Sequence, residues 1–464
     1  MNQKQYEYIV IGTGPGGAPV ALELARAGKK VLMLERGAYH KHFIGFPLGM
    51  RLSERFFMFN RSKEGVVMER GLTVGGSSMI YQGNVFDPTE KFIKKMGIDF
   101  RTETDEIKKE IGVKTLPPEF YNRNGNTGFQ RMMKAAEDMG AHFEEQEKFV
   151  DPEKCKLGCD WCMLGCPRDA KWTTRRYVDK AVEEYGAELR VSSPVHRLVF
   201  DDTGKKVLGV EMKTGEKIFG DTIILAAGGI GSPGILLRSG VNYAGKRFFM
   251  DPMTILFALS KDPKGGQWGE QTFSHAIETF ADSDGFMIGN NGAWGTWCVM
   301  NMIRPKVMRE NWYKLPWVKR GMGLFVKLAE DDKGEIYPNE RTSKPMTPSD
   351  EKRMQKGVDV AREILIRARA KENSISELRW AGGHPGGTIE IGKYVQRDFR
   401  SEFENLYVCD ASVFPVSPGA PPSLSIMGMS RLLSKFLLGK VQPEDRFVRD
   451  SNFKKKGLLK PLKK

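Results

Sequence analysis

The chain has 464 residues, 40% hydrophobic and 28% charged, with a formal net charge of +14. That length allows a large core and about three domain-sized units, and the balance of apolar and charged residues describes a globular chain. No run of about 18 apolar residues is available to cross a bilayer, no apolar signal region precedes the first strand, no nucleic-acid motif accompanies the charge, and six cysteines, mostly clustered, argue against a disulfide framework and for a reducing cytoplasm.

In chain order, Tyr8–Ile11 is a short apolar strand, and Gly12-Thr13-Gly14-Pro15-Gly16-Gly17 follows at once. Ala18–Ala27 has helical periodicity and is closed by Gly28; a second strand, Lys30–Leu34, ends in Glu35. Strand, G-x-G-x-x-G, helix, strand and acid form a dinucleotide cradle. Gly12 permits the tight turn, Gly14 and Gly16 leave backbone open to a pyrophosphate, Gly17 lets helix and strand pack, and Glu35 accepts from ribose hydroxyls. The motif alone does not separate NAD from FAD.

Residues 96–149 are charged, with helices expected near 104–111 and 125–139, and read as a cap. Cys155, Cys159, Cys162 and Cys166 then fall within twelve residues, spaced C-x3-C-x2-C-x3-C with Pro167 after. Packed thiolates need a partner, and soft ligands select iron–sulfur clusters or zinc. The spacing is one residue longer than the ferredoxin run, and only Cys159 and Cys162 have zinc-knuckle spacing. Cluster, zinc and a cofactor-free loop all stay open. Trp161 and Met163 read as shields from water, and Lys154, Lys156, Arg168 and Lys171 as positive charge around the site. Cys298 and Cys409 read as buried apolar residues.

A hairpin-like run, Val195–Phe219, contains His196 and turns at Asp202-Thr203-Gly204. Asp221–Ala226 is a buried strand entering the turn Ala227-Gly228-Gly229. From about 246 to 345 the chain alternates apolar and polar residues, as in Phe286–Gly289 and Trp294–Trp297, which predicts an antiparallel sheet closing a site. Ser349–Ala370 reads as an amphipathic helix. Asn405–Ser412 is a further strand ending in Asp410, and a long helix runs from Pro422 to Leu438. The end, Phe453–Lys464, is strongly basic and can attract an acidic redox protein, an anionic substrate or a lipid surface, or simply be solvated.

With these pieces in place the chain resembles the glucose–methanol–choline (GMC) oxidoreductases, FAD enzymes with a two-domain fold. Gly75-Gly76-Ser77-Ser78 is similar to the family's loop beside the flavin, Gly228–Leu237 to its second flavin signature, Gly383–Thr388 to its active-site histidine segment, and Asn405–Pro415 with Pro422–Arg431 to the final strand and helix. The cysteine segment resembles that of a bacterial subgroup, some of whose dehydrogenases carry an iron–sulfur cluster. The resemblance implies an α/β fold: a Rossmann-like FAD-binding domain (1–95, 150–245 and 379–440, with the cysteine loop 155–167), a cap (96–149), an antiparallel substrate domain (246–378) and a basic tail (441–464).

It further implies FAD held by the glycine cradle and Glu35 with Gly76, Ser77, Ser78, His196, Ala227, Gly228, Asp410, Ala411, Pro422 and Ser423. His384 is the implied catalytic base, since a base needs a pKa near working pH. The helix opening at Pro422-Ser423 can stabilise negative charge on reduced flavin. Two departures stand out. Pro421 occupies the position where relatives place a second histidine or an asparagine, and Tyr81 stands where they often have asparagine, either to donate to a substrate oxygen or to pack. The expectation is an FAD-dependent dehydrogenase taking hydride from a CH–OH group of a small organic substrate. Electrons would pass through a [4Fe-4S] or [3Fe-4S] cluster at Cys155, Cys159, Cys162 and Cys166 to an acidic electron-transfer partner. Reduction or desaturation of a carbon–carbon bond, or an electron-transfer flavoprotein subunit, are the alternatives. The location expected is cytoplasmic, with possible peripheral contact of the tail with the membrane's inner face.

Overall fold

The computed structural model describes residues 6–42, 59–122, 125, 127–159, 161–292 and 312–448. The aromatic run at 294–297, Cys298 and the basic end from 453 lie outside them.

The first sheet holds seven strands: β1 (Tyr6–Ile11), β2 (Val31–Leu34), β6 (Glu188–Arg190), β7 (Val195–Phe200), β8 (Val207–Met212), β9 (Lys217–Leu225) and β18 (Leu406–Val408). Their order is β6-β2-β1-β9-β8-β7, with β18 also on β9. β1 pairs in parallel with β2 and β9, with Ile9 between Leu32 and Ile223. Both faces of the parallel part are covered, which is why Ile9–Ile11 and Val31–Leu34 are continuous apolar runs rather than alternating ones. The β7–β8–β9 run is antiparallel, as the hairpin signal predicts. Helix α1 (Gly17–Arg26) lies against α5 (Arg175–Glu183) and α8 (Ser423–Leu437), while α6 (Gly228–Arg238) leaves the end of β9.

The second sheet has eight strands in the order β3-β4-β17-β11-β14-β13-β12-β5. These are β3 (Phe59–Arg61), β4 (Val67–Glu69), β5 (Glu144–Glu145), β11 (Met253–Leu259), β12 (His275–Ile277), β13 (Phe286–Asn290), β14 (Gly321–Leu328) and β17 (Ser376–Gly382). It is antiparallel apart from the β4–β17 pair. A small third sheet joins β10 (Lys246–Phe248), β15 (Gly334–Ile336) and β16 (Thr342–Ser343). Helix α7 (Pro348–Arg367) packs across β11, β13 and β14. Its start is fixed by a capping box in which Thr347 and Asp350 bond each other's backbone N–H.

Two boundaries differ from the sequence expectation. β3 and β4, expected within the nucleotide domain, pair into the second sheet, because Val67 and Met68 bury against Ala381 and Gly382. The stretch 96–149 is divided between two cores rather than forming one lobe. Helix α3 (Arg101–Ile111) puts Ile107 into the nucleotide-side core, against α8, a core that also holds Ile93 of the preceding helix α2 (Glu90–Met96). Helix α4 (Gly128–Glu137) puts Phe129 and Met132 with Phe286 and Leu324. Among the described residues no helix is long and apolar enough to cross a membrane.

Candidate active site

A cavity of about 920 Å³ runs between the two large sheets, from Gly12, Gly14 and Glu35 at one end to Phe325, Lys327 and His384 at the other. The glycines are required where backbones meet. Gly12 has φ +100°, and a Cβ there would sit 2.3 Å from the Ala226 carbonyl oxygen. A Cβ on Gly16 would lie 2.0 Å from the Cys409 oxygen, and one on Gly17 1.9 Å from that of Gly12. β1, α1 and β18 therefore approach closely at the turn, and the first N–H groups of α1 face the cavity mouth.

Glu35 accepts from Thr13 N (3.1 Å), Thr13 Oγ1 (2.7 Å) and Gly37 N (2.9 Å), and burial raises its pKa despite those bonds. Asp410 accepts from Gly228 N (2.8 Å), Ser232 Oγ (2.5 Å) and Ser412 N (2.8 Å), which ties the end of β18 to the start of α6. Ala227, Gly228, Asp410, Ala411, Pro422 and Ser423 all reach the cavity. The first turn of α8 opens onto it at Ser423, with Pro422 before it, so unpaired helix N–H groups point there.

The glycine–serine loop divides its work. Gly76 and Ser77 line the cavity. Ser78 is buried behind it, donating to Gly75 O (2.6 Å) and accepting from Thr174 N (3.0 Å), so it holds the loop's shape. His196 stands exposed at the rim, its carbonyl accepting from Arg238 Nε (2.7 Å). The Tyr81 hydroxyl donates to Trp172 O (2.6 Å), and its ring stacks on Phe149. With that proton engaged, packing describes Tyr81 better than donation to a substrate.

The loop carrying His384 is clamped by backbone. Gly229 would meet Pro385 O at 2.0 Å if it had a Cβ, and Gly386 would meet Ala411 O at 2.6 Å. His384 N donates to Met250 O (3.2 Å). The imidazole Nδ1 is 2.7 Å from Lys327 Nζ, closer than the 3.4 Å to Asp251 Oδ2. Lys327 and Asp251 are fully buried and 3.4 Å apart. Burial and the Lys327 charge lower the His384 pKa to about 4. The ring is thus neutral near pH 7, with Nδ1 directed at the Lys327–Asp251 pair. His384 therefore meets the cavity as a neutral imidazole, the protonation state a general base needs.

Behind Asp251 the Ser417 hydroxyl lies against Asp251 Oδ1 and Glu330 Oε2. A hydroxyl has one proton and cannot serve two carboxylates. Burial lifts Glu330 to about 7, with Lys344 Nζ at 3.7 Å opposing the shift.

Sequence reasoning missed Lys327, Asp251 and Glu69. The signal for Lys327 was present: a lone cation inside the wholly buried strand Gly321–Leu328. Glu69 ends β4 and lines the cavity; burial raises its pKa to about 7, and Lys327 lowers it only partly. At the other end Arg36, Arg70 and Arg238 converge on Glu340, at 2.6, 3.0 and 3.5 Å. Glu340 sits between β15 and β16 at φ +61°. Three cations on one anion leave surplus positive charge along the cavity, suited to an anionic dinucleotide. Glu340→Gln should cost about 2–3 kcal/mol in urea unfolding, the low side of the range for a broken ion pair because Arg36 reaches water. An unchanged midpoint would contradict this.

The cysteines line a separate cavity of about 240 Å³. Cys162 lines this cavity and the large one alike. Among the described residues no three His, Cys, Asp or Glu side chains are grouped to hold a single metal ion. Lys171 is buried, donating to the carbonyls of Met79 (2.9 Å), Tyr81 (3.0 Å) and Cys162 (2.5 Å) rather than presenting a surface charge. Trp161 lines the cysteine cavity, whereas Met163 lines the large one. Cys409 is fully buried.

The sheet order, the glycine turn and the cavity beyond it define a dinucleotide-binding protein. The N-terminal domain of the GMC oxidoreductases matches residues 6–253 and the C-terminal domain residues 325–430. The chain belongs to the GMC oxidoreductase family, and FAD is its dinucleotide. It is 26% identical over 436 residues to an uncharacterised protein of Methanocaldococcus jannaschii, covering 93% of this chain and 100% of that one. It is 23% identical over 500 residues to the long-chain-alcohol oxidase FAO4A of Arabidopsis thaliana, covering 92% of this chain and 67% of the other. Among solved structures it is similar to pyridoxine 4-oxidase from Mesorbium loti, with a TM-score of 0.68, 16% identity and coverage of 94% and 99%.

Proposed function

We propose that the protein is an FAD-dependent dehydrogenase of a CH–OH group in an organic substrate. The observation that carries this reading is His384, a neutral imidazole whose Nδ1 lies 2.7 Å from Lys327 Nζ, at the end of the cavity opposite the dinucleotide cradle. Residues Gly12–Gly16, Glu35, Gly76, Ser77 and Asp410 would hold FAD, which supplies a hydride acceptor when bound. The chain's own part is to bind and orient. Met253, Ile255 and Phe325 give the substrate an apolar wall, the His384 imidazole holds the reacting hydroxyl, and the first turn of α8 favours negative charge. Pro421 lines the cavity without a side-chain hydrogen bond, so the oxygen relies on His384. The long-chain-alcohol oxidase among the relatives supports the CH–OH class.

The finer part of the proposal concerns Cys155, Cys159, Cys162 and Cys166. These thiols line one pocket, and burial with mutual repulsion raises Cys155 to about 12 and Cys162 to about 11. Four cysteine sulfurs grouped in one pocket are the soft donor set that an iron–sulfur cluster takes. They would hold an iron–sulfur cluster whose chemistry is one-electron transfer to an outside acceptor. Anaerobic purification with iron and sulfide analysis and electron paramagnetic resonance tests this. The parent should hold both elements and Cys162→Ser should lose most of the iron; an iron-free parent would end the cluster reading and leave the flavin reading standing.

A further inference from the structure

We propose that Lys148 and Lys171 are built-in counter-charges for an anionic, thiolate-held cluster in the cysteine pocket, and that Lys148, on the side of the large cavity, biases that cluster toward its reduced form. This rests on the cluster reading above and deepens it. The two side chains are buried, at 1% and 2% exposure. Lys148 Nζ donates to Asn84 Oδ1, Thr272 O (3.0 Å) and Phe273 O (3.4 Å). Lys171 Nζ donates to the carbonyls of Ser78 (3.3 Å), Met79 (2.9 Å), Tyr81 (3.0 Å) and Cys162 (2.5 Å). All of these acceptors are neutral. By contrast Lys327 and Lys344, equally buried, each face a buried carboxylate, Asp251 and Glu330. An ammonium taken out of water is costly unless an opposite charge compensates it.

The cysteines are placed to supply that charge. Burial draws Lys148 down to about 7, and the charges that oppose this are those of Cys162 and Cys155; for Lys171, drawn to about 8, they are those of Cys162 and Cys166. Burial also holds Cys155 and Cys162 as neutral thiols, so the compensation is complete only when a metal centre binds them as thiolates. An iron–sulfur cluster with its thiolates carries net negative charge when oxidised, and one more negative charge when reduced. The pocket suits such a group better than a single ion. Among the described residues no three ligands are grouped to hold one ion, whereas the cavity between the four cysteines is about 240 Å³.

Lys148 stands in the wall between the two cavities. Its partners Asn84, Thr272 and Phe273 line the large one, and Val150, two residues on, lines the cysteine pocket. Cys162 lines both, and Gln271, next to Thr272, brings its Nε2 to 3.5 Å from Cys162 Sγ. Reduction of the cluster is the gain of one electron without a proton. The added charge therefore stays beside the two ammonium groups, which favour it.

The test is an anaerobic redox titration of the purified full chain with dithionite as reductant, followed by electron paramagnetic resonance, for the parent, Lys148→Met and Lys148→Arg. At a fixed potential Lys148→Met should lower the ratio of reduced to oxidised cluster about tenfold, and Lys148→Arg should restore it. Lys171→Met carries the same expectation and keeps the claim testable should Lys148→Met fail to fold. A second readout needs no electron transfer. Stripping the iron with a chelator should lower the melting temperature more in the parent than in Lys148→Met, because the parent is left with one more uncompensated buried charge. An iron-loaded Lys148→Met that titrates at the parent's midpoint, or an equal loss of melting temperature in both, would overturn the assignment. An iron-free parent would instead overturn the cluster reading on which it rests.

Discussion

Gly16→Ala should give a colourless, poorly soluble protein. The added methyl would sit 2.0 Å from the Cys409 carbonyl oxygen and 3.1 Å from its carbon, both backbone atoms that no rotamer change can move. The start of α1 would have to leave β18. That displacement reaches Ser430, whose hydroxyl donates to Gly16 O (2.5 Å) and accepts from Val20 N (3.0 Å), a link between α1 and α8. The turn that would present N–H groups to the FAD phosphates and the packing of three elements fail together. The cost should exceed about 4 kcal/mol, the range reached only when a core contact is broken outright. Purified yield, melting temperature and visible flavin absorbance measure it; a yellow variant melting within a few degrees of the parent would contradict the close approach.

His384→Ala should slow substrate-driven flavin reduction by about 10²–10⁴-fold while leaving FAD bound. The side chain reaches the cavity end remote from Glu35 and the glycine turn, so cofactor affinity has little reason to change. Its loss leaves Lys327 Nζ without its 2.7 Å partner, while the Asp251 carbonyl at 3.1 Å still accepts from it. Rapid-mixing absorbance separates the two effects. Unchanged turnover with an artificial acceptor would point to an electron-transfer subunit instead, since a relay needs no group at the substrate oxygen.

Much of this was legible in the sequence because local rules governed it. The β1–α1–β2 unit obeys the glycine spacing and hydrophobic runs, and the structure puts Gly12, Gly16 and Gly17 where a side chain would collide with backbone. The β7–β8 hairpin and helix α7 follow turn chemistry and amphipathic period in the same way. What escaped depends on pairs distant in sequence. Met68 meets Gly382 across more than three hundred residues, and only that parallel pairing reveals Glu69 as a neighbour of the His384 loop. Lys327 reads as an anomaly in an apolar strand until Asp251 and His384 are brought to it. His384 reads locally as a histidine beside glycines; that Lys327 and Asp251 both face its Nδ1 is something the local pattern cannot show. Ser78 and Tyr81 sit in the expected loop, yet their hydroxyls turn to Gly75 and Trp172.

The central claim, an FAD enzyme that takes hydride from a CH–OH carbon, is most directly tested by anaerobic titration of the purified protein with a panel of alcohols and, in parallel, of its chemically reduced form with a panel of enones. The account predicts that at least one alcohol bleaches the flavin absorbance and is recovered as the carbonyl product. A protein that no alcohol bleaches, but whose reduced form an enone rapidly reoxidises, would contradict it.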